Sequence, residues 1–360
     1  MTTSAYIHIP FCDHICTYCD FCKRYSYQNV VNKYLDALEK DIKDNYSGEL
    51  LKTIYIGGGT PSSLNINELT KLMKIVKLLK LDHECEFTFE CNPENINEEK
   101  LILLKENGVN RISLGVESTN HKYLKYLGRK HDFEMVKEKV NLIKKYITNI
   151  NVDLIYALKD ETVVELQNDL ENIVSLDVNH VSTYSLEIHD NTILGIKKTK
   201  SINDEIDSEM YNVICDYLKE KGFNHYEVSN FCKDNTYSRH NMVYWNNNEY
   251  YGFGLGASGY VNNIRYDNTR SMYKYVNNKR LLNSEELTLK DKISYELILG
   301  FRLIEGINKE KFKKKYNVNL IDQYNIKKLI KEGLLVDDGI NIKVCLDKIY
   351  IENSILENFV

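Results

Sequence analysis

The sequence predicts an α/β fold: a partial (β/α)6 TIM-type barrel of parallel strands with a small helical, winged-helix-like C-terminal domain. Three observations carry that expectation. Six short runs rich in Ile, Val, Thr, Tyr and Phe alternate with amphipathic helical stretches over the first 222 residues. Several of these runs read as nearly continuous apolar segments, as strands buried on both faces of a parallel sheet do. The texture then changes near residue 223 and again near 285.

The strand-like runs are 5–9, 53–56, 86–91, 111–116, 151–156 and 180–186. Helical patterns fill 30–45, 67–79, 97–106, 133–146 and 162–175, with Asn67 placed as the cap of the second and Asn97 of the third. Strand–helix alternation of this length implies parallel βαβ units, and six units are fewer than the eight of a full barrel. A long helix over 204–221 stops at Gly222, which closes a first unit, 1–222. A connecting region, 223–284, carries aromatics, Asn and a glycine cluster at 252–257. That cluster lacks the strand-to-helix setting of a dinucleotide fingerprint. A Lys-rich tail, 285–360, with a β-like ending over 333–350, forms the last unit.

With 360 residues, 43% hydrophobic and 28% charged, the chain is a globular one, large enough to bury a core. A formal net charge of −5 gives no electrostatic case for nucleic acid. The lysines from Lys311 to Lys315 read as a solvated helix face. Met1 to Ser4 run straight into the first strand with no basic, apolar leader, so a cytoplasmic location is expected. No apolar run approaches the roughly 20 residues of a membrane span.

Nine cysteines are an odd number for a disulfide framework, and four of them fall within eleven residues. Cys12, Cys16 and Cys19 have the spacing Cys-x3-Cys-x2-Cys just after the first strand. Three thiolates on one loop bind three irons of a cubane cluster and leave the fourth open to a chelating cofactor, whereas ferredoxin-type clusters use four cysteines. The rival is zinc, but structural zinc sites pair two Cys-x2-Cys knuckles and no second knuckle follows. Cys22 reads as a spectator thiol, with a fourth-ligand role as the alternative. Cys85, Cys91, Cys215, Cys232 and Cys345 are scattered and read as structural.

Glu90, Glu117 and Asp153 each fall at or near the end of a strand. In a barrel-type sheet those ends share one face with the cysteine loop and with a glycine run, Gly57-Gly58-Gly59-Thr60-Pro61. Glycines there let backbone approach a ligand, although a tight turn would need them too. Arg129 suits a ligand carboxylate. His240 is a candidate axial ligand for haem iron, with Tyr244 and Trp245 to flank a porphyrin face. The bland reading is that His240 packs one region against another, and Cys232 is a weaker alternative ligand.

The opening Tyr6-Ile-His8-Ile-Pro10-Phe11-Cys12, continued by Cys16, Tyr18-Cys19-Asp20-Phe21, resembles that of radical S-adenosylmethionine (radical-SAM) proteins of the coproporphyrinogen-dehydrogenase group. The likeness runs on through Gly57 to Pro61, Glu90-Cys91-Asn92-Pro93, Asn110 to Ser118, Leu127-Gly128-Arg129, Val152 to Tyr156, His240-Asn241-x2-Tyr244-Trp245 and Gly252 to Ala257. Nearly the whole chain is covered. The group has two branches, the oxygen-independent coproporphyrinogen III oxidases and the oxidase-like haem chaperones of HemW type. The short N-terminus, Phe21 where the oxidases have a fourth cysteine, and the His240–Trp245 motif resemble the chaperone branch.

The resemblance implies a [4Fe–4S] cluster on Cys12, Cys16 and Cys19 and S-adenosylmethionine (SAM) beside it. It places the methionine part of SAM at Gly58, Gly59 and Thr60, and includes Tyr6 and Glu90 among the cofactor contacts. A second SAM-like site in the family corresponds to Tyr18, Gly59, Thr60, Glu117, Arg129 and Asp153. Glu117 departs from the usual glutamine there, and a carboxylate cannot donate the hydrogen bonds an amide can. The function implied is a haem chaperone that delivers haem to respiratory haemoproteins, with a homodimer and peripheral membrane association as further expectations. The alternative is an oxidase that cleaves SAM reductively and decarboxylates porphyrinogen propionates through a radical. A zinc-binding interaction module is the third reading.

Overall fold

The computed structural model of the protein describes residues 2–360. Six parallel strands form its frame: β1 (Ser4–Ile9), β2 (Leu51–Gly58), β3 (Leu81–Cys91), β4 (Arg111–Glu117), β5 (Asn149–Tyr156) and β6 (His180–Ser185). They pair in chain order. Helices α1 (Gln28–Asn45), α2 (Ile66–Val76), α3 (Glu98–Glu106), α4 (His121–Leu127), α5 (Phe133–Lys144), α6 (Val163–Ser175) and α7 (Asp204–Glu220) supply the crossovers and the outer layer. A parallel pair requires such long connections, and covering the sheet with helices buries its outer face.

The six expected strands are present, with ends shifted by a few residues. One difference is physical. The strands are buried on both faces, yet only the outer face is apolar. Ile54, Ile56, Phe87, Phe89, Ile112, Leu114, Ile150 and Val152 lie in the main core under the helices. Alternate residues on the other face are polar and bond to one another across strands. Tyr55 reaches Glu90, Ser113 reaches Asp153, and Asn151 reaches Ser113. The period of two therefore separates an apolar wall from a polar lumen.

Helix ends follow from local chemistry. Asn97 caps α3 as expected, accepting from Lys100 N at 2.9 Å. The cap of α2 is Asn65, not Asn67. Asn65 and Glu68 have the spacing of a capping box, and both of its bonds form. Asn67 lies inside the first turn and donates its own N–H to Asn65.

Three strands from beyond residue 222 extend the main sheet to nine: β7 (Asn224–Glu227), β8 (Asn230–Cys232) and β9 (Tyr251–Phe253). The strand order is β9-β1-β2-β3-β4-β5-β6-β8-β7, with β9 parallel to β1 and β8 antiparallel to β6. The sheet is open, with β9 and β7 at its edges. Between them in sequence, α8 (Arg239–Trp245) sets His240 against β2. An antiparallel set follows: β10 (Ser258–Val261), β11 (Ile264–Asn268) and β12 (Leu281–Glu286). The C-terminal part carries α9 (Leu289–Gly300), α10 (Lys309–Tyr316) and α11 (Ile326–Lys331). A small sheet joins them, made of β13 (Ile307–Asn308), β14 (Leu335–Asp337) and β15 (Asn341–Val344), an arrangement of winged-helix type. On α10, Lys311, Lys313, Lys314 and Lys315 are exposed while Phe312 and Tyr316 are buried. No helix among the described residues is long and apolar enough to cross a membrane.

Asp41 ties α1 to the 250–280 segment. It is 5% exposed and accepts from Gly254 N at 3.1 Å and Tyr275 Oη at 2.8 Å, with Arg280 Nε 3.4 Å away. Gly254 has φ +101°, and a Cβ there would come within 2.6 Å of Tyr34 Oη. Asp41→Ala strands two buried donors, Gly254 N and Tyr275 Oη, and removes the carboxylate beside the half-buried Arg280. It should cost about 3 kcal/mol, read as a fall in the urea midpoint; a change below about 0.5 kcal/mol would show that the junction is not held there.

Candidate metal centre and cofactor pocket

β1 delivers the cysteine loop. Residues Phe11–Cys12 pair in parallel with Arg24–Tyr25, so the segment carrying all four cysteines is closed at its base. Its tip is fastened to the end of α4: Thr17 N donates to Leu127 O at 3.0 Å and Thr17 Oγ1 to Tyr126 O at 2.9 Å. The loop's spacing thus becomes a fixed shape, anchored at both ends.

Three sulfurs share this neighbourhood. Cys12 is buried, and Thr60 Oγ1 lies 3.5 Å from its Sγ. Arg129 Nη1 lies 3.6 Å from Cys16 Sγ. Burial pushes the Cys12 thiol up to about 12, with Cys16 and Cys19 adding to the rise. The Cys19 thiol is raised by burial as well, with Cys16 among its neighbours. Cys22 has different surroundings. Burial raises its thiol, against Arg270, Arg24 and Lys23, which pull it down. Among the described residues no three potential ligands converge at metal-binding distance. The three thiols share one neighbourhood without closing on a point. Their chemistry fits an iron–sulfur cluster: soft donors that hold protons until a metal displaces them. The wall beside them fits too, since a Cβ on Gly59 would come within 2.9 Å of Cys12 Sγ.

The glycine run is shaped by what packs on it. A Cβ on Gly57 would fall 2.7 Å from the Glu90 carboxyl, and one on Gly58 (φ +125°) 2.6 Å from the His8 ring. Glu90 in turn accepts from Gly58 N at 2.9 Å and from Tyr55 Oη at 2.8 Å. Burial pushes the Glu90 carboxyl up to about 7.

A second cluster sits beside the first. Tyr18 Oη donates to Glu117 Oε1 at 3.0 Å, and Arg129 Nη1 is 3.9 Å from the same oxygen. Arg129 also donates to Asn92 Oδ1 at 3.0 Å and to Gly115 O, while Asn92 Nδ2 donates to Thr60 Oγ1 at 3.2 Å. Burial works against the charge on Arg129, but Tyr18 and Glu117 outweigh it and hold its guanidinium above the ordinary range. Burial pushes the Glu117 carboxyl up to about 7, so at neutral pH it carries a proton much of the time and can donate as an amide does. Its backbone is strained, with φ +66° at a bulge where β4 loses register with β5. Asp153 accepts from Asn151 at 2.8 Å and Ser113 at 3.2 Å, and burial raises its carboxyl.

Tyr18, Gly58, Gly59, Thr60, Glu90, Glu117, Arg129 and the cysteines are thus joined by a few contacts. Tyr6 points into the same lumen and bonds His8 Nδ1 at 2.9 Å. Sequence reasoning did not single out Tyr55, Asn92 or His8 as site residues. Asn92 and His8 lie within the quoted motifs, which was the available signal. His240 lies behind Tyr55, their ring centroids 5.3 Å apart, and is 0% exposed, with Nδ1 at 2.8 Å from Thr53 Oγ1 and Nε2 at 2.8 Å from Tyr244 Oη. Both ring nitrogens are occupied, so in this position it offers iron no lone pair. Cys232 is also 0% exposed.

The Radical SAM superfamily model matches residues 6–173, and the HemN C-terminal domain model residues 287–344. A protein of Lactococcus lactis named heme chaperone HemW is 38% identical over 99% of this chain and 97% of its own length. The chain belongs to the HemW family. A Bacillus subtilis HemW is 36% identical over 92% of both chains, and one from Escherichia coli is 31% identical over 86% of this chain and 85% of that one. The solved coproporphyrinogen III oxidase (HemN) of Escherichia coli matches with a TM-score of 0.88, covering 99% of this chain and 90% of that one. At 21% identity, that match shows the fold. Radical-SAM membership carries with it a [4Fe–4S] cluster and SAM.

The Glu117 carboxyl yields a test. Its pKa is about 7 in the fold against an ordinary 4.5, so the folded state binds the proton more tightly. The stability this confers is present below the unfolded pKa and is lost as pH rises through about 7. Relative to Glu117→Gln, which does not titrate, the metal-free wild type should lose about 2 kcal/mol between about pH 5 and about pH 8. Urea unfolding of both proteins across that range measures it; a constant difference would refute the assignment.

Proposed function

We propose that this chain is a haem carrier: it binds haem and hands it to haem-requiring proteins, respiratory ones among them. The observation that carries this reading is full-length similarity to proteins named heme chaperone, at up to 38% identity over 99% of the chain. Phe21, at the place of the oxidases' fourth cysteine, supports it.

In this reading Cys12, Cys16 and Cys19 hold the [4Fe–4S] cluster. Bound there, the cluster supplies an electron and an iron with a free coordination position. Gly58, Gly59, Thr60, Tyr6 and Glu90 face the SAM beside it, the glycines giving backbone access and Glu90 an acceptor for the ammonium. Tyr18, Glu117, Arg129 and Asp153 form the adjoining pocket, with Arg129 available to a carboxylate. His240 fastens α8 to β2, and iron ligation falls to another group.

Two outcomes are expected. Cys12→Ser, Cys16→Ser and Cys19→Ser should each lose most of the iron and acid-labile sulfide after anaerobic reconstitution. Retention of both by all three would overturn the cluster assignment, and zinc in place of iron would favour the zinc-module reading. Second, the reconstituted wild type, given haem, should show a stable haem spectrum and pass haem to an apo-haemoprotein. Given coproporphyrinogen III, SAM and reductant, it should yield no decarboxylated product. Formation of protoporphyrinogen IX would make it an oxidase.

A further inference from the structure

The polar lumen of the sheet is closed at one end. After Cys232 the chain crosses the starts of the parallel strands. Lys233 N donates to Asn179 O at 2.9 Å, just before β6, and Arg239 N and His240 N donate to Glu86 of β3 at 3.0 and 2.9 Å. His240 then bonds Thr53 of β2. The segment ending in His240, which has no lone pair left for iron, thus forms a floor. The far end stays open. Tyr55, Glu90 and Asp153 are half-buried, and Tyr184, on the lumen side of β6, is 43% exposed.

Arg111 stands at this floor. Phe87, Phe89 and Ile112 face the outer core, so Thr88 and Arg111, paired in register across β3 and β4, turn inward. Arg111 is 2% exposed and Thr88 0%. Among the described residues the guanidinium of Arg111 forms no hydrogen bond or ion pair, and its Nε and the Oγ1 of Thr88 are both buried without a partner. The polar groups around them are already engaged. His180 bonds Asn151 and Tyr226, and Asp153 accepts from Asn151 and Ser113. Burial first, and Arg111 second, hold the His180 and His240 rings neutral. The floor therefore carries one buried cation with no counter-ion against it, an arrangement that costs stability until an anion arrives.

We propose that the lumen floor is a carboxylate-binding site, with the fork of Arg111 taking the two oxygens and Thr88 Oγ1 donating to one of them. A singly charged, planar carboxylate matches a guanidinium in both shape and charge. A phosphate dianion fits less well, because one fork and one hydroxyl leave most of its oxygens without donors and Asp153 stands nearby. The site is separate from the SAM contacts. Thr88 precedes Glu90 by one inward position, which puts it about 7 Å deeper along β3. Two sources carry this chemistry: a propionate of the porphyrin cargo, and a free small carboxylate. The site itself does not depend on the carrier reading; the first source does.

The test compares wild type, Arg111→Met and Thr88→Val as full chains with the cluster reconstituted. Urea midpoints are read in chloride and in acetate at matched ionic strength. In chloride, Arg111→Met should be as stable as wild type or more so, because methionine keeps the apolar stem and removes the unpaired charge. Acetate should raise the midpoint of wild type, raise that of Thr88→Val less, and leave that of Arg111→Met unchanged. A clear loss of stability in Arg111→Met in chloride, with no response of wild type to acetate, overturns the proposal and makes the guanidinium structural. So does an acetate response equal in all three proteins. If Arg111→Met does not fold, Thr88→Val decides alone: a full wild-type response overturns the proposal. SAM affinity should be the same in wild type and Arg111→Met; a loss there overturns it too, by assigning Arg111 to the SAM carboxylate. Haemin and haemin dimethyl ester then separate the sources. Haemin binding about tenfold weaker in Arg111→Met, with the ester bound alike by both, supports the propionate. An acetate response with no such difference supports the free carboxylate. Failure of wild type to bind haemin at all, with the acetate response kept, rejects the carrier reading and leaves the site supported.

Discussion

The Glu90 carboxyl is the contact on which the rest of the site depends. It sits at the end of β3 inside a sheet whose lumen face is polar, and it holds the hydroxyl of Tyr55 and the N–H of Gly58. Its bulk occupies the space a side chain at residue 57 would need. The glycine run is thereby pressed against β1, where Gly59 N bonds Ile9 O at 2.9 Å and Thr60 N bonds Phe11 O at 2.8 Å. Those bonds hold the base of the cysteine loop and set Thr60 beside Cys12. A buried polar group must be satisfied, and here the satisfaction of one carboxyl shapes the wall next to three thiols.

The adjoining cluster obeys the same constraint with a charge in it. Arg129 joins the Cys16 sulfur, Asn92, Gly115 and Glu117, so the cysteine loop and the ends of β3 and β4 are braced by one guanidinium. Its planar fork suits several acceptors at once, which a lysine could not serve. Glu117 stands on a strained residue at a bulge, the kind of local cost found where side-chain direction matters more than backbone ease. Burial gives its carboxyl a proton near neutral pH, and so lets it donate a hydrogen bond as an amide does.

Much of the frame was legible because apolar residues and helix caps are local signals. The six parallel strands stand where the β-branched and aromatic runs lie, and Asn97 caps α3 by its own side chain. Asn67 misled because a capping asparagine two residues earlier, with Glu68 at the third position, competes better for the same N–H groups. The runs looked more uniformly apolar than they are. Tyr55, Thr88 and Ser113 sit among hydrophobic neighbours in sequence, and period two sends them to the opposite face. Strands β7, β8 and β9 are three or four residues long, too short to carry a periodic pattern; β9 and β8 join the sheet through pairing with the distant β1 and β6, and β7 follows by pairing with β8.

The sequence by itself determined the cysteine spacing, the glycine run, the order of the six strand–helix units and the family they mark. These depend on residue types at short, fixed separations. Tertiary structure alone decided what surrounds each of the neighbouring thiols: Thr60 beside Cys12, Arg129 beside Cys16 and Gly256 against Cys22. It also decided that His240, attractive as a ligand by type, is enclosed with both nitrogens bonded. The reason is physical: ligand availability depends on burial and on partners brought from residues 53, 256 and 270, and separations of that length leave no trace in local pattern.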